Sequence, residues 1–206
     1  MKKHTDSIDA AILDRIQSKG PGHVHTPADF LDLGTRAAVD QALSRNSRAG
    51  ILRKVGRGLY DLPKDHPMLG PLSTPSDAVV QAIARREGIR LQPSGAHSAN
   101  GLGLSDQVPV KTVYLTNGRS RRIRLGKAQI LMKHASPRTM ATAGTVSGHV
   151  IQALRWMGKS HVDEAVINRL RRKLSVDQKS QLMRDLHHAP AWTAEIMRRI
   201  AASSKD

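Results

Sequence analysis

Apolar positions recur at helical spacing through the first fifty residues. Ile8, Ile12 and Ile16 stand four apart and make one stripe of a first helix, which Ser7 can cap and Gly20-Pro21-Gly22 stops. His23-Val24-His25 follows as a short extended piece. Thr26-Pro27 opens a second, short helix, with Thr as cap and Pro in the first turn, ending at Gly34. Thr35 caps a third helix over residues 36–49. Ala38, Val39, Ala42 and Leu43 face inward, which leaves Arg36, Gln41, Ser44, Arg45 and Arg48 outward. Gly50 closes it.

The period then shortens to two. Ile51, Leu52 and Val55 predict one strand, and Leu59 to Leu62 predict its return. Gly56-Arg57-Gly58 is the turn, its two glycines supplying positive-φ freedom. Pro63 ends the return strand because it has no N–H for a ladder. Residues 64–75 hold three prolines and a glycine and read as a linker.

Past the linker, Ser76 can cap a helix over 77–87 with Val79, Val80, Ile83 and Ala84 inward, ended by Gly88. A short strand over 89–92 precedes a small, glycine-rich stretch over 93–104, suited to close packing on a sheet. Alternation then predicts strands at 110–116, 122–125 and 128–133, with Asn117-Gly118 as a hairpin turn between the first two. From Thr145 the pattern is helical: 146–157 closed by Gly158, 162–174, 177–188 capped by Ser175, and a last helix after Pro190. The whole predicts an α+β protein. Residues 1–63 have the element order of a winged helix-turn-helix, 64–75 are the linker, and 75–206 form a mixed domain with a small antiparallel sheet and C-terminal helices.

Charge changes the picture. The 206-residue chain carries a net charge of +16, distributed as +3 over residues 1–70, +8 over 71–145 and +5 over 146–206. Such an excess favours an anionic partner: nucleic acid, an acidic protein or a membrane surface. Aromatics are Phe30, Tyr60, Tyr114, Trp156 and Trp192 alone. Single-strand binding platforms need more stacking rings, so double-stranded DNA gains over single-stranded RNA. The chain has no cysteine, which excludes disulfides, zinc-thiolate sites and cysteine nucleophiles. No apolar run is long enough to span a bilayer and no apolar signal core follows the first residues, so a cytoplasmic protein is expected.

The candidate contacts follow from this. On the third helix, Arg can bind guanine in a bidentate way, Gln can bind adenine, and Ser and Thr are short donors to phosphates. The expected DNA-binding set is therefore Thr35, Arg36, Gln41, Ser44, Arg45 and Arg48 from the helix, with Arg53, Lys54 and Arg57 from the wing. A second anion-binding patch is expected at Arg119, Arg121, Arg122 and Arg124, where Arg122 and Arg124 share a strand face opposite Ile123 and Leu125. The same cations can instead keep an edge strand from pairing with another chain.

An enzyme is the rival class. The ten histidines include no His-Glu-x-x-His helix and no spacing suited to a metal. His97 and Ser98 lack a nucleophile elbow, and Gly101-Leu102-Gly103 lacks the Lys-Ser/Thr of a phosphate loop. Asp77, Glu87 and Asp106 are too few for a two-metal site. No catalytic activity, metal or cofactor is expected.

The N-terminal helices followed by Gly-Ile-Leu-Arg-Lys-Val-Gly-Arg-Gly-Leu-Tyr-Asp-Leu-Pro (50–63) resemble the AbiEi-type antitoxins of type IV toxin–antitoxin systems. The run Arg-x-x-Gly-Arg-Gly-x-Tyr, here Arg53 to Tyr60, carries the resemblance, which covers roughly residues 5–65. It implies a repressor of its own operon, acting through promoter inverted repeats that would take two copies of the protein. It also implies a functional pairing with a nucleotidyltransferase-like toxin, opposed without a stable complex. The alternatives are a basic module that holds an acidic toxin directly, or a transcription factor with no toxin.

Overall fold

A computed structural model describes residues 2–68, 70–107, 111–126 and 128–202, with the side chains from residue 8 onward. The protein is α+β and divides into two compact units, Met1–Gly88 and Ile89–Asp206.

The first unit begins with helix α1, Lys2–Lys19. Its backbone is already helical before Ser7, so that residue is not the cap the sequence predicts. Strand β1 (Val24–His25) follows, then a 3-10 turn, Pro27–Phe30, where the sequence predicts a longer helix. The turn is tied at its start: the Thr26 N–H and hydroxyl both donate to Asp29 Oδ2, at 2.7 and 3.2 Å. Helix α2 spans Arg36–Arg48, and the Thr35 hydroxyl accepts from the Ala38 N–H at 3.3 Å. Ile12, Ile16, Phe30, Val39, Ala42, Leu43, Leu52 and Tyr60 are buried together as this unit's core.

Strands β2 (Arg53–Gly56) and β3 (Leu59–Asp61) form the expected antiparallel hairpin, and β1 joins it to give the order β1-β3-β2. Two details differ from the sequence reading. Ile51 and Leu52 lie outside the strand, because their N–H groups both turn back to the Asn46 carbonyl at the end of α2. Of the two turn glycines only Gly58 has positive φ, +64°, since the tight step falls after Arg57. The expected linker contains a small hairpin, β4 (Asp65–His66) with β5 (Gly70–Pro71). Helix α3 (Ser76–Glu87) starts directly after Pro75, which takes the cap position expected of Ser76.

Helix α3 also moves the boundary. The proline run predicts it in the second domain, yet it lies in the first unit. Arg85 explains this physically: its Nη2 donates to the Val24 carbonyl of β1 at 2.9 Å, while Val79, Val80 and Ile83 are buried.

The second unit holds a four-stranded sheet of β6 (Leu91–Pro93), β7 (Thr112–Thr116), β8 (Arg121–Leu125) and β9 (Ala128–His134), in the order β6-β7-β9-β8. The predicted start of β7 at Val110 lies outside the described residues. The sheet is mixed rather than antiparallel, because β9 inserts between β7 and β8 and runs parallel to β7. Asn117-Gly118 therefore turns no hairpin. Asn117 Oδ1 instead accepts the Arg90 N–H at 2.7 Å, and the Ser120 hydroxyl accepts the His134 N–H at 2.8 Å, which leads the chain past the end of β9. The hairpin of this sheet joins β8 to β9, pairing Leu125 with Ala128.

Among the described residues six α-helices complete the unit: α4 (Gly95–Gly101), a single turn α5 (Pro137–Met140) that the sequence does not predict, α6 (Val146–Met157), α7 (Glu164–Lys173), α8 (Val176–Arg184) and α9 (Ala191–Ala201). Thr145, Asp163 and Ser175 cap α6, α7 and α8 through side-chain oxygens. The predicted third C-terminal helix ends early, at Arg184, and passes into a 3-10 turn, Leu186–His188. Val150, Leu154, Ile167, Leu170, Leu182, Met197 and Ile200 form the core. Among the described residues no helix is long and apolar enough to cross a membrane.

Candidate nucleic-acid interface

Helix α2 separates cleanly into faces. Val39, Ala42, Leu43 and Asn46 are buried. Ala37, Gln41, Ser44 and Arg48 recur at spacings of four, three and four, so they share the opposite stripe; Gln41 and Arg48 are exposed and Ser44 half-buried. This stripe is narrower than the outward set read from sequence. Arg45 does not belong to it: Nε and Nη2 hold both oxygens of Asp9 on α1, at 3.0 and 2.8 Å. Arg36 lies at the helix start with its Nε on Asp40 Oδ2 at 2.9 Å, an exposed pair that weakens with salt. Thr35 is occupied as the cap.

The three hairpin cations have different fates. Arg53 donates to both oxygens of Asp61, which is wholly buried, and its Nη1 donates to the Leu72 carbonyl at 2.6 Å. These bonds raise the guanidinium pKa above its usual value, chiefly through the hydrogen bonds to Asp61. Arg53 is thus turned inward, correcting its place among the expected phosphate contacts. Lys54 and Arg57 are exposed, Arg57 at the tip.

A shallow cavity of about 330 Å³ lies beside that tip, lined by Pro27, Ala28, Arg36, Arg57, Gly58 and Arg86. It joins three cations from three elements. Arg86 is the residue sequence reading missed, because the proline run assigns α3 elsewhere. The available signal was the Arg85-Arg86 pair closing an amphipathic helix. Arg86 Nη1 donates to the Arg57 carbonyl at 3.3 Å, and Nη2 pairs with Glu87 at 3.0 Å. Gly58 is favoured by its backbone, at φ +64°, rather than by lack of room: a Cβ there would meet Arg86 Nη1 and Pro27 Cδ at ordinary contact distance, 3.7 and 3.8 Å.

On β1, His25 is 3% exposed and its Nε2 is buried without a hydrogen-bond partner among the described residues. Burial, then the neighbouring His23 ring at 4.6 Å, pushes its pKa down to about 4. His23 is lowered also, first by burial and then by Arg85.

In the second unit, β8 is an edge strand on which Arg122 and Arg124 are exposed and Arg121 points to the other face. Arg121 Nε lies 3.4 Å from Met132 Sδ, so the expected patch of four loses this member. Arg122 and Arg124 sit opposite Leu131 and Gln129 of β9, and Arg119 is exposed in the preceding turn. Among the described residues no group of three or more His, Asp or Glu is placed to hold a metal ion.

A crystal structure of the RV2827C protein from Mycobacterium tuberculosis aligns with 96% of this chain and 81% of that one, at 15% sequence identity and a TM-score of 0.43. No curated protein matches the sequence. Residues 11–182 match a family of unknown function, DUF6088, and the chain belongs to that family.

Proposed function

We propose that the first unit is a winged helix-turn-helix and that the protein is a sequence-specific repressor of double-stranded DNA, by resemblance the antitoxin and autorepressor of a type IV toxin–antitoxin operon. The observation that supports this best is the shared setting of α2 and the hairpin tip. A helix with a polar stripe of Gln41, Ser44 and Arg48 lies next to a cation cluster of Arg36, Arg57 and Arg86. In a major groove the stripe would face base edges, where Gln41 suits adenine and Arg48 guanine. The cluster, with Lys54, would hold backbone phosphates, which position the protein without reading sequence. Arg45 and Arg53 are outside this set, because each holds both oxygens of a carboxylate on another element, whereas Arg36 and Arg86 each reach one oxygen of a carboxylate close by in sequence.

Binding to the protein's own promoter DNA and to random duplex, each across a range of salt, tests the reading. Tighter promoter binding that persists at physiological salt supports a specific repressor. With about six phosphates neutralised, the log–log salt slope is about −5. Equal and steeply salt-sensitive binding to both duplexes would mean that the +16 charge alone is responsible. A repressor acting on promoter DNA belongs in the cytoplasm, and an operon partner resembling a nucleotidyltransferase would extend the reading to a toxin.

A further inference from the structure

The second unit carries a groove that the DNA reading does not use. Two depressions of about 330 and 390 Å³ share Thr139, Gln152 and Arg155, so they adjoin along these three side chains. Each falls in the size range of small-molecule sites, roughly 300–1,000 Å³. Arg138 and His188 line the first and Trp156 the second. No Asp or Glu lines either one.

Three features point to one ligand chemistry. The guanidinium groups of Arg138 and Arg155 are exposed and make no hydrogen bond or ion pair among the described residues. Two such cations without a carboxylate leave the groove strongly favourable to a phosphate. Trp156 is 48% exposed as a residue, unusual for the largest apolar side chain. Its position is set by a close approach of α4: a Cβ on Gly95 would lie 2.3 Å from Trp156 Cβ and 2.8 Å from the Gln152 carbonyl. The indole is thereby anchored at its base while its ring faces solvent, the condition for a stacking platform. The Gln152 amide, half-buried beside it, makes no hydrogen bond among the described residues and can both donate and accept.

We propose that this groove binds a nucleoside phosphate, with the base stacked on Trp156 and the phosphate held by Arg138 and Arg155. Gln152 meets the edge of the base. The same chemistry is offered by a free nucleotide and by the terminal nucleotide of a single strand.

Calorimetric titration of the full-length protein tests this with three probes: ATP, a 5′-phosphorylated single-stranded tetranucleotide, and inorganic phosphate. Wild-type protein binds ATP or the tetranucleotide, and whichever binds more tightly identifies the source. Trp156→Leu and Arg155→Ala each weaken that binding about tenfold or more, with promoter binding unchanged. Arg57→Ala, in the other unit, leaves it unaltered. Inorganic phosphate binding as tightly as either larger probe would overturn the stacking role. So would ATP binding that survives Trp156→Leu, or no heat with any probe at millimolar concentration from protein whose circular dichroism is native.

Discussion

Arg53 and Asp61 face each other across the hairpin, and two parallel hydrogen bonds join them, Nε to Oδ1 at 2.9 Å and Nη2 to Oδ2 at 2.6 Å. Asp61 is fully buried and also accepts from the Thr74 hydroxyl at 2.8 Å. The arginine at the head of the Arg-x-x-Gly-Arg-Gly-x-Tyr run therefore neutralises a buried carboxylate, and its third bond, to the Leu72 carbonyl, ties down the stretch before α3.

Arg53→Ala leaves that carboxylate buried without its counter-charge. The expected loss is about 3–5 kcal/mol, read from urea unfolding. Arg53→Lys keeps the charge and loses the two-pronged geometry, so it falls between the variant and the wild type. A loss below about 1 kcal/mol for Arg53→Ala would show that the pair contributes little. Loss of DNA binding in Arg53→Ala follows from unfolding and says nothing about a phosphate contact.

Arg57 is the contrasting case, an exposed cation at the tip with no carboxylate partner among the described residues. Arg57→Ala leaves urea unfolding within about 0.5 kcal/mol of wild type. It weakens binding to every duplex and flattens the log–log salt slope by about one. An unchanged slope would remove the tip from the interface. Gln41→Ala acts differently, lowering discrimination at one base position by about 1–3 kcal/mol in a panel of substituted promoter duplexes.

His25 makes the first unit sensitive to acid. Its pKa is near 6.5 in the unfolded chain and about 4 in the folded one. Between those values the unfolded chain takes up a proton that the folded state refuses, so stability falls as pH drops from about 6.5 to about 4. The total loss is at most about 3 kcal/mol. His23 shifts in the same direction and adds to it. Urea unfolding at pH 7 and pH 4.5, compared between wild type and His25→Leu, isolates the effect. An equal pH dependence in both proteins would assign it to other groups.

Much of the first unit was legible in the sequence because its signals are local. The isoleucine stripe, the Thr35 cap and the glycines around Arg57 each act within a few residues, and the structure has α1, α2 and the hairpin where they predict. What failed depends on distant partners. Asp9 lies 36 residues from Arg45, and nothing near Arg45 announces that it will be captured. Arg53 reads as a surface cation until the burial of Asp61 is known. Asn117-Gly118 has the composition of a hairpin turn, yet β9 occupies the place beside β7. The decisive bond, Asn117 to the Arg90 N–H, spans 27 residues. Arg86 entered the cation cluster through the fold of α3 onto the first unit, against the proline punctuation before it. The sequence reading assigns Trp156 no role, and its exposure beside Gly95 emerges only from how α4 lies on α6.

Gly148 tests the packing of the second unit in a way that reverses a general rule. An alanine in place of a glycine in a helix interior ordinarily stabilises by about 1 kcal/mol, and Gly148, in the first turn of α6, would be expected to gain part of that. In α6, a Cβ at position 148 would lie 2.3 Å from Gln92 Oε1 and 2.3 Å from the Thr142 carbonyl. Gln92 is itself fully buried on β6, and its Oε1 accepts the Gly144 N–H at 3.3 Å. Neither neighbour can retreat freely, one being backbone and the other a buried amide with a partner. Gly148→Ala is therefore expected to destabilise by about 1–3 kcal/mol through overpacking. Gln92→Ala removes one of the two obstructions and leaves the Thr142 carbonyl. The double variant should thus lose less than the sum of the two single variants, without recovering wild-type stability. Additive losses in the unfolding free energies would show that α6 shifts away from β6 rather than pressing against Gln92.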